Sequence, residues 1–220
     1  MNKRIMELKG VEVWDGNMAN SQALRQADVD VVAAYPITPS TATVENYAMF
    51  HANGYIDGEV MMTESEHAAM SACIGAGAAG GRVATATSSQ GLALMIETLY
   101  QASGMRIPVV LCLVNRALAA PLNVNGDHSD LYLTRDSGWI SIDAFSPQEA
   151  YDMTLMSFKI SEHPEVRLPV ISNQDGFMTS HTAQNVLPLK DDVACKFVGD
   201  YLQVNALLNF DKPVTHGVQT

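Results

Sequence analysis

Apolar positions along the chain fall into two alternating kinds of run. Short apolar runs recur at 29–35 (broken only by Asp30), 59–63, 82–87, 107–114, 139–145 and 168–176, each of strand length and bounded by turn residues. Ile107 to Val114 is the plainest buried strand among them. Between these runs lie stretches with helical spacing. Residues 16–30 place Ala19, Ala23, Leu24 and Ala27 on one face, and 40–53, 66–77, 92–103 and 147–163 follow the same rule. Strands alternating with helices predict an α/β fold with a doubly wound, mostly parallel sheet covered on both faces.

Two segments depart from the pattern. Residues 115–138 form an irregular stretch far longer than a usual connection, and such loops often carry function. From about Leu187 the periodicity weakens, so the chain divides into a domain over 1–187 and an extended C-terminal arm or linker over 188–220. The arm ends on KPVTHGVQT, which reads as the start of a further element towards a second domain outside this chain.

The stretch on which the rest is organised is VVAAYPITPST, residues 31–41. A buried strand meets Pro36, which cannot continue a ladder, and Pro39, which suits the first turn of a helix. Thr38 then falls where a helix N-cap is expected, with its hydroxyl and nearby N–H groups aimed at one spot. Open α/β sheets bind their ligands at such a strand-to-helix turn.

Composition narrows the partners. With 13 Lys and Arg against 24 Asp and Glu, the net charge of −11 argues against nucleic acid and anionic membranes. No apolar run reaches membrane-spanning length, and the first residues do not form a signal-peptide core, so a cytoplasmic protein is expected. Cys73, Cys112 and Cys195 are scattered and lack CxxC spacing, which suits reduced thiols and no metal or cluster site.

Several residues are chemical candidates. Glu66 lies where an apolar strand gives way to an alanine-rich helix, flanked by Met61, Met62, Ala68, Ala69 and Met70. It could cap the helix. A carboxylate in apolar surroundings could also hold or share a proton. Glu64 is expected on the solvated face. GAGAAG at 75–80 matches a dinucleotide fingerprint but closes a helix and precedes a strand, so close packing of small residues explains it better. A nicotinamide-dependent dehydrogenase resting on that motif is the first rival reading. Ser88 to Gly91 follows a strand and opens a helix on the same sheet edge as Thr38. Arg116 ends the buried strand at 107–114, where it could pair with a structural carboxylate or grip a substrate carboxylate in bidentate fashion. GDHSD at 126–130 suggests a Ser–His–Asp triad, yet sequence neighbours rarely form one and no nucleophile elbow is present. His128 could equally serve the site or fix its loop.

Taken together, GNMANSQALRQADVDVVAAYPITPST, ESEHAAMSACIGAGAAGGRVATATSSQGLALMIE, IPVVLCLVNRALAAP and GDHSD resemble the α subunit of 2-oxoacid:ferredoxin oxidoreductases, most closely those acting on pyruvate. RDSGWI, LPVISNQDGFMTSHT and DKPVTHG extend the match. The resemblance implies the pyrimidine-binding domain of a thiamine diphosphate enzyme. It implies that Glu66 contacts N1′ of the cofactor's aminopyrimidine, with Pro36, Ile37, Ser89 and Gln90 lining the cofactor pocket. Thr38 and Arg116 would bind the substrate carboxylate. By the same resemblance the reaction oxidatively decarboxylates a 2-oxoacid to its acyl-CoA and CO2, with CoA as co-substrate and electrons passing singly to ferredoxin. The chain has no GDG motif with a downstream Asn and no cluster-binding cysteine set. Mg2+, the diphosphate half-site and [4Fe-4S] clusters are therefore expected on a β subunit, a γ subunit and a ferredoxin-like subunit. The alternatives are another 2-oxoacid (aryl, branched-chain, 2-oxoglutarate or oxalate-like) and a non-catalytic assembly subunit.

Overall fold

In the computed structural model, which describes residues 4–8, 10–119, 121–123, 125–201 and 206–214, the chain enters through a short strand, Glu12–Trp14 (β1). Asp15 stops it and caps helix Gly16–Gln26 (α1) by accepting the Met18 N–H at 2.8 Å. Strand Val31–Ala34 (β2), helix Thr41–Ala52 (α2) and strand Glu59–Met62 (β3) follow. Ser65 then accepts the Ala68 N–H and starts helix Glu66–Ala79 (α3), which Gly80 ends in the left-handed region at φ 109°. Strand Val83–Thr87 (β4), helix Ser89–Gly104 (α4) and strand Val109–Val114 (β5) complete the first half. Beyond the long loop lie a single turn, Ser129–Tyr132 (α5), strand Ile140–Ala144 (β6), helix Pro147–Ser161 (α6) and strand Val170–Gln174 (β7). A short strand Gln184–Val186 (β8) and helix Asp191–Val198 (α7) follow.

Six strands pair in the order β3-β2-β4-β5-β7-β6, every pair parallel. The period of two along β5 sorts its side chains between two cores. Val110 and Cys112 face Leu24, Tyr47, Tyr151 and Phe158 from α1, α2 and α6. Val109, Leu111 and Leu113 face Met70, Cys73, Met95 and Leu99 from α3 and α4. Both faces are covered, as a parallel sheet requires, and the doubly wound expectation holds. The chain runs outward from β2 to β3 and then crosses back to β4, so the carboxyl ends of β2 and β4 diverge at a topological switch point.

Some expectations need correction. β1 and β8 form an unforeseen antiparallel ribbon, because each is three residues long and buries a single large side chain, Trp14 and Val186. Asp191–Val198, assigned to the arm, is helical and packs on α6 and α1 through Ala194 and Val198. Bidentate contact of Arg25 with Asp191, at 2.8 and 2.7 Å, holds that helix in place. Met61 and Met62 are not buried beside Glu66 but 47% and 55% exposed, since β3 is the sheet's edge strand. GAGAAG closes α3, where a Cβ on Gly77 would lie 2.5 Å from the Ile107 side chain, so close helix–sheet packing accounts for it. Most of KPVTHGVQT lies outside the described residues.

At the amino edge of the sheet, Arg82 is buried and fully engaged. It meets both oxygens of Glu162 at 2.7 and 2.8 Å, donates to the Ala27 carbonyl and reaches the Gly199 carbonyl at 2.8 Å. Burial pushes the Glu162 carboxyl up, against the opposing pull of Arg82. Replacing one partner of such a pair strands the other's charge in the core. Glu162→Gln is expected to cost about 3 kcal/mol of stability, read as a lower urea midpoint with an unchanged slope.

Candidate active site

The carboxyl edge of the sheet gathers the sequence-predicted residues from three loops. After β2 the chain turns through Tyr35, Pro36 and Ile37, with Pro36 exposed and Ile37 half-buried. Thr38 does not cap α2. Ser40 is the cap residue, and its N–H and hydroxyl both donate to the Ile37 carbonyl, at 2.9 and 2.8 Å. That extra turn delays the helix start and leaves Thr38 exposed at the mouth of the sheet. The turn is pinned by Asn17, which the sequence reading passed over. Its amide donates to the carbonyls of Pro39 and Ser180, each at 3.1 Å, and accepts the Thr43 hydroxyl at 2.8 Å. An asparagine at a capped helix start, with several polar neighbours in GNMANS, was the available signal.

Glu66 occupies the first position of α3 and is 7% exposed. Its carboxylate abuts the first turn of α4, where a Cβ on Gly91 would lie 2.7 Å from Oε1 and 2.4 Å from Thr87 Oγ1. Only glycine allows that approach. The neighbouring Glu64 is exposed, as expected.

Ser89, Gln90 and Arg116 meet around this turn. The Arg116 guanidinium donates from Nη1 to the Thr38 carbonyl at 2.6 Å and from Nη2 to Gln90 Oε1. The Ser89 hydroxyl reaches the Ala117 carbonyl at 2.6 Å and lies against Gln90 Oε1. Thr38, Gln90 and Arg116 are thus linked directly, and Gln90 stands next to the glycine that touches Glu66. Pro36 and Ile37 share the loop, and the Ile37 carbonyl closes its turn by accepting the Ser40 N–H.

The residue that fixes this geometry is Asp130, fully buried and weighed in the sequence only as part of GDHSD. One of its oxygens accepts the Ser89 and Arg116 N–H groups, at 2.9 and 3.0 Å. The other accepts from Asn115 Nδ2 and the Leu131 N–H, both at 2.8 Å. Burial pushes the Asp130 carboxyl up, while these donors pull it down. GDHSD is therefore no triad. His128 Nε2 contacts Asp175 at 3.1 Å, and the Ser129 hydroxyl accepts the Leu118 N–H at 3.3 Å. His128 fixes its loop to the turn after β7. Burial alone would raise the Asp175 carboxyl, yet the Phe177 and Met178 N–H groups and His128 hold it below its ordinary value.

Among the described residues, four buried polar atoms without partners lie here: Thr87 Oγ1, Ser88 Oγ, Asn115 Oδ1 and Arg116 Nε. Buried polar groups are normally satisfied, so an orphaned set beside a buried carboxylate is what a polar ligand's site presents. Together with the buried Glu66 carboxylate that Gly91 admits, this set has the donors and acceptors that one side of an aminopyrimidine cofactor would need. Among the described residues no group of three or more His, Cys, Asp and Glu could hold a metal ion, and no helix is long and apolar enough to cross a membrane.

A family model described as "Pyruvate flavodoxin/ferredoxin oxidoreductase, thiamine diP-bdg" matches residues 22–220. The chain belongs to this family. It is 50% identical over 207 residues to pyruvate synthase subunit PorA of Methanocaldococcus jannaschii, covering 94% of this chain and 53% of that one. Over 213 residues it is 44% identical to ketoisovalerate oxidoreductase subunit VorA of Pyrococcus furiosus, covering 96% and 54%. A solved structure of the 2-oxoglutarate:ferredoxin oxidoreductase from Magnetococcus marinus, with 2-oxoglutarate, coenzyme A and succinyl-CoA bound, superimposes with a TM-score of 0.75 at 28% identity, covering 86% of this chain and 33% of that one. The chain spans about half the length of the curated relatives it matches. Family membership makes the pyrimidine-domain reading of the sheet the right one and removes the nicotinamide-dependent rival.

Asp130→Asn would turn an N–H donor towards N–H groups that now bond a carboxylate. A loss of about 2–3 kcal/mol is expected in chemical denaturation. Asp175, with its carboxyl held below the ordinary 3.8, contributes stability that is complete above that value and is lost as pH falls below it. Asp175→Asn should therefore flatten the acid limb of the stability–pH curve.

Proposed function

We propose that this chain contributes the pyrimidine-facing half of a thiamine diphosphate site in a CoA-acylating 2-oxoacid:ferredoxin oxidoreductase, with pyruvate as substrate. The observation that carries the proposal is the buried Glu66 carboxylate held against the Gly91 turn, one residue from the Gln90–Arg116 contact. Thiamine diphosphate, when bound, supplies the electron sink into which a 2-oxoacid can lose CO2. Glu66 would hold and exchange a proton at the aminopyrimidine ring, a role for which a solvated carboxylate would be poorly suited. Pro36, Ile37, Ser89 and Gln90 would line the cofactor on this side. Arg116 and Thr38 would receive the substrate carboxylate and turn its carbonyl towards the cofactor, because a guanidinium fork matches a carboxylate in shape as well as charge.

The complementary half is proposed to lie on partner chains: a β subunit holding Mg2+ and the diphosphate, further subunits holding [4Fe-4S] clusters, and ferredoxin as acceptor. The assembly would be cytoplasmic, with residues 1–187 as the pyrimidine domain and 188–220 leading towards a second domain. The VorA relative, at 44% identity over 96% of the chain, favours a branched-chain 2-oxoacid as the second reading of the substrate.

The test is to purify the chain with its co-purifying partners and assay viologen reduction with thiamine diphosphate, Mg2+, CoA and single 2-oxoacids. Pyruvate-dependent reduction confined to a multi-chain complex is the expected result. A cluster-containing complex inert to every 2-oxoacid would leave the assembly-subunit reading standing instead. Within an active complex, Glu66→Gln should lower turnover at least about a hundredfold while the thermal midpoint holds. Turnover at the wild-type rate would remove Glu66 from the proton step.

A further inference from the structure

We infer that Gln90 is a positioning residue for Arg116, keeping its guanidinium aimed at the site without neutralising it; this rests on the reading of Arg116 as the grip on the substrate carboxylate. An arginine at the mouth of a sheet has five N–H donors and a long, flexible stem, so its direction must be set by acceptors. Here those acceptors are neutral. Nη1 is held by the Thr38 backbone carbonyl and Nη2 by Gln90 Oε1, while Nε is buried with no partner among the described residues. The charge therefore stays available, and donor capacity is left for an anion.

Gln90 is itself fixed. Its Oε1 lies against the Ser89 hydroxyl, and the Ser89 N–H is bound by buried Asp130, which also binds the Arg116 N–H. Gln90 and Arg116 are thus tied through their side chains, and Asp130 ties the Arg116 backbone to that of Ser89, the residue before Gln90. The next residue, Gly91, touches Glu66. A single helical turn in this way sets the spacing between the proton-exchanging carboxylate and the carboxylate-binding guanidinium. An amide suits position 90 and a carboxylate does not. A glutamate there would form a charge-assisted pair with Arg116 and occupy the donors that the substrate needs.

The experiment compares Gln90→Glu, Gln90→Met and Arg116→Ala in the complex purified through this chain, measuring KM and kcat for pyruvate and the thermal midpoint of each. Gln90→Glu should raise KM at least about tenfold, by internal pairing of Arg116, and by a larger factor than it changes kcat. Gln90→Met, which removes the acceptor but keeps the shape, should raise KM about threefold. In Gln90→Glu with Arg116→Ala, KM should match that of Arg116→Ala alone, because the added carboxylate then has no guanidinium to capture. If both Gln90 variants keep the wild-type KM while Arg116→Ala raises it, the positioning role is overturned and the reading of Arg116 stands. If Arg116→Ala itself leaves KM unchanged, that reading falls and takes the inference with it. A lowered thermal midpoint with kcat and KM falling together would make Gln90 structural and overturn the role equally.

Discussion

One buried carboxylate holds the carboxyl edge of this sheet together. Asp130 sits under a loop that the strands alone would leave unplaced. Its four hydrogen bonds join the start of α4, the end of β5 and the loop's own return. A carboxylate buried without partners would be among the costlier things a core can hold. Four N–H donors converging on one group offset that cost and make any other arrangement of the loop expensive. The positions of Ser89, Gln90 and Arg116 follow from this constraint.

The two edges of the sheet handle polar burial in opposite ways. At the amino edge, the Arg82 and Arg25 guanidinium groups are matched by Glu162 and Asp191 from the same chain, with backbone carbonyls completing the set around Arg82. At the carboxyl edge, hydroxyl, amide and guanidinium atoms are buried and left over. Leaving a buried polar atom unpaired costs about 1–3 kcal/mol, so a fold that leaves several of them at one edge has kept that edge for something polar. The switch point between β2 and β4 lies on the unsatisfied edge, where doubly wound sheets take their ligands.

The sheet was legible in the sequence because strands buried on both faces read as unbroken apolar runs, and β5 is the purest case. The ribbon of β1 and β8 was not, since one buried side chain per strand gives no period to detect. Nor was α7, whose two buried residues would not mark a helix and whose docking depends on Arg25 far away in the chain. Glu66 and Arg116 could be singled out as candidates because each lies where an apolar run ends, a place defined by pattern. Asn17 and Asp130 could not be assigned in this way. Their roles rest largely on hydrogen bonds to distant backbone atoms, 22 and 163 residues away for Asn17 and 14 and 41 for Asp130, and backbone atoms leave no mark on sequence pattern. Thr38 lies on the expected strand-to-helix turn but does not cap the helix, because a turn closed by Ser40 moved the helix start.

The proposed division of labour also bears on specificity. Arg116 and Thr38 would read the carboxylate, which every 2-oxoacid shares, and Glu66 would serve a cofactor common to the family. None of these contacts depends on the substrate's side chain. A half-site built this way has no reason to diverge when the side chain changes, whereas a pocket wall touching a methyl or an isopropyl group must. The relatives agree with that expectation: subunits named for pyruvate and for ketoisovalerate remain 50% and 44% identical to this chain across nearly its whole length. Discrimination by one or a few methylenes is worth only about 1–3 kcal/mol, so a small change in the facing wall is enough to change the preferred acid while this edge of the sheet stays as it is.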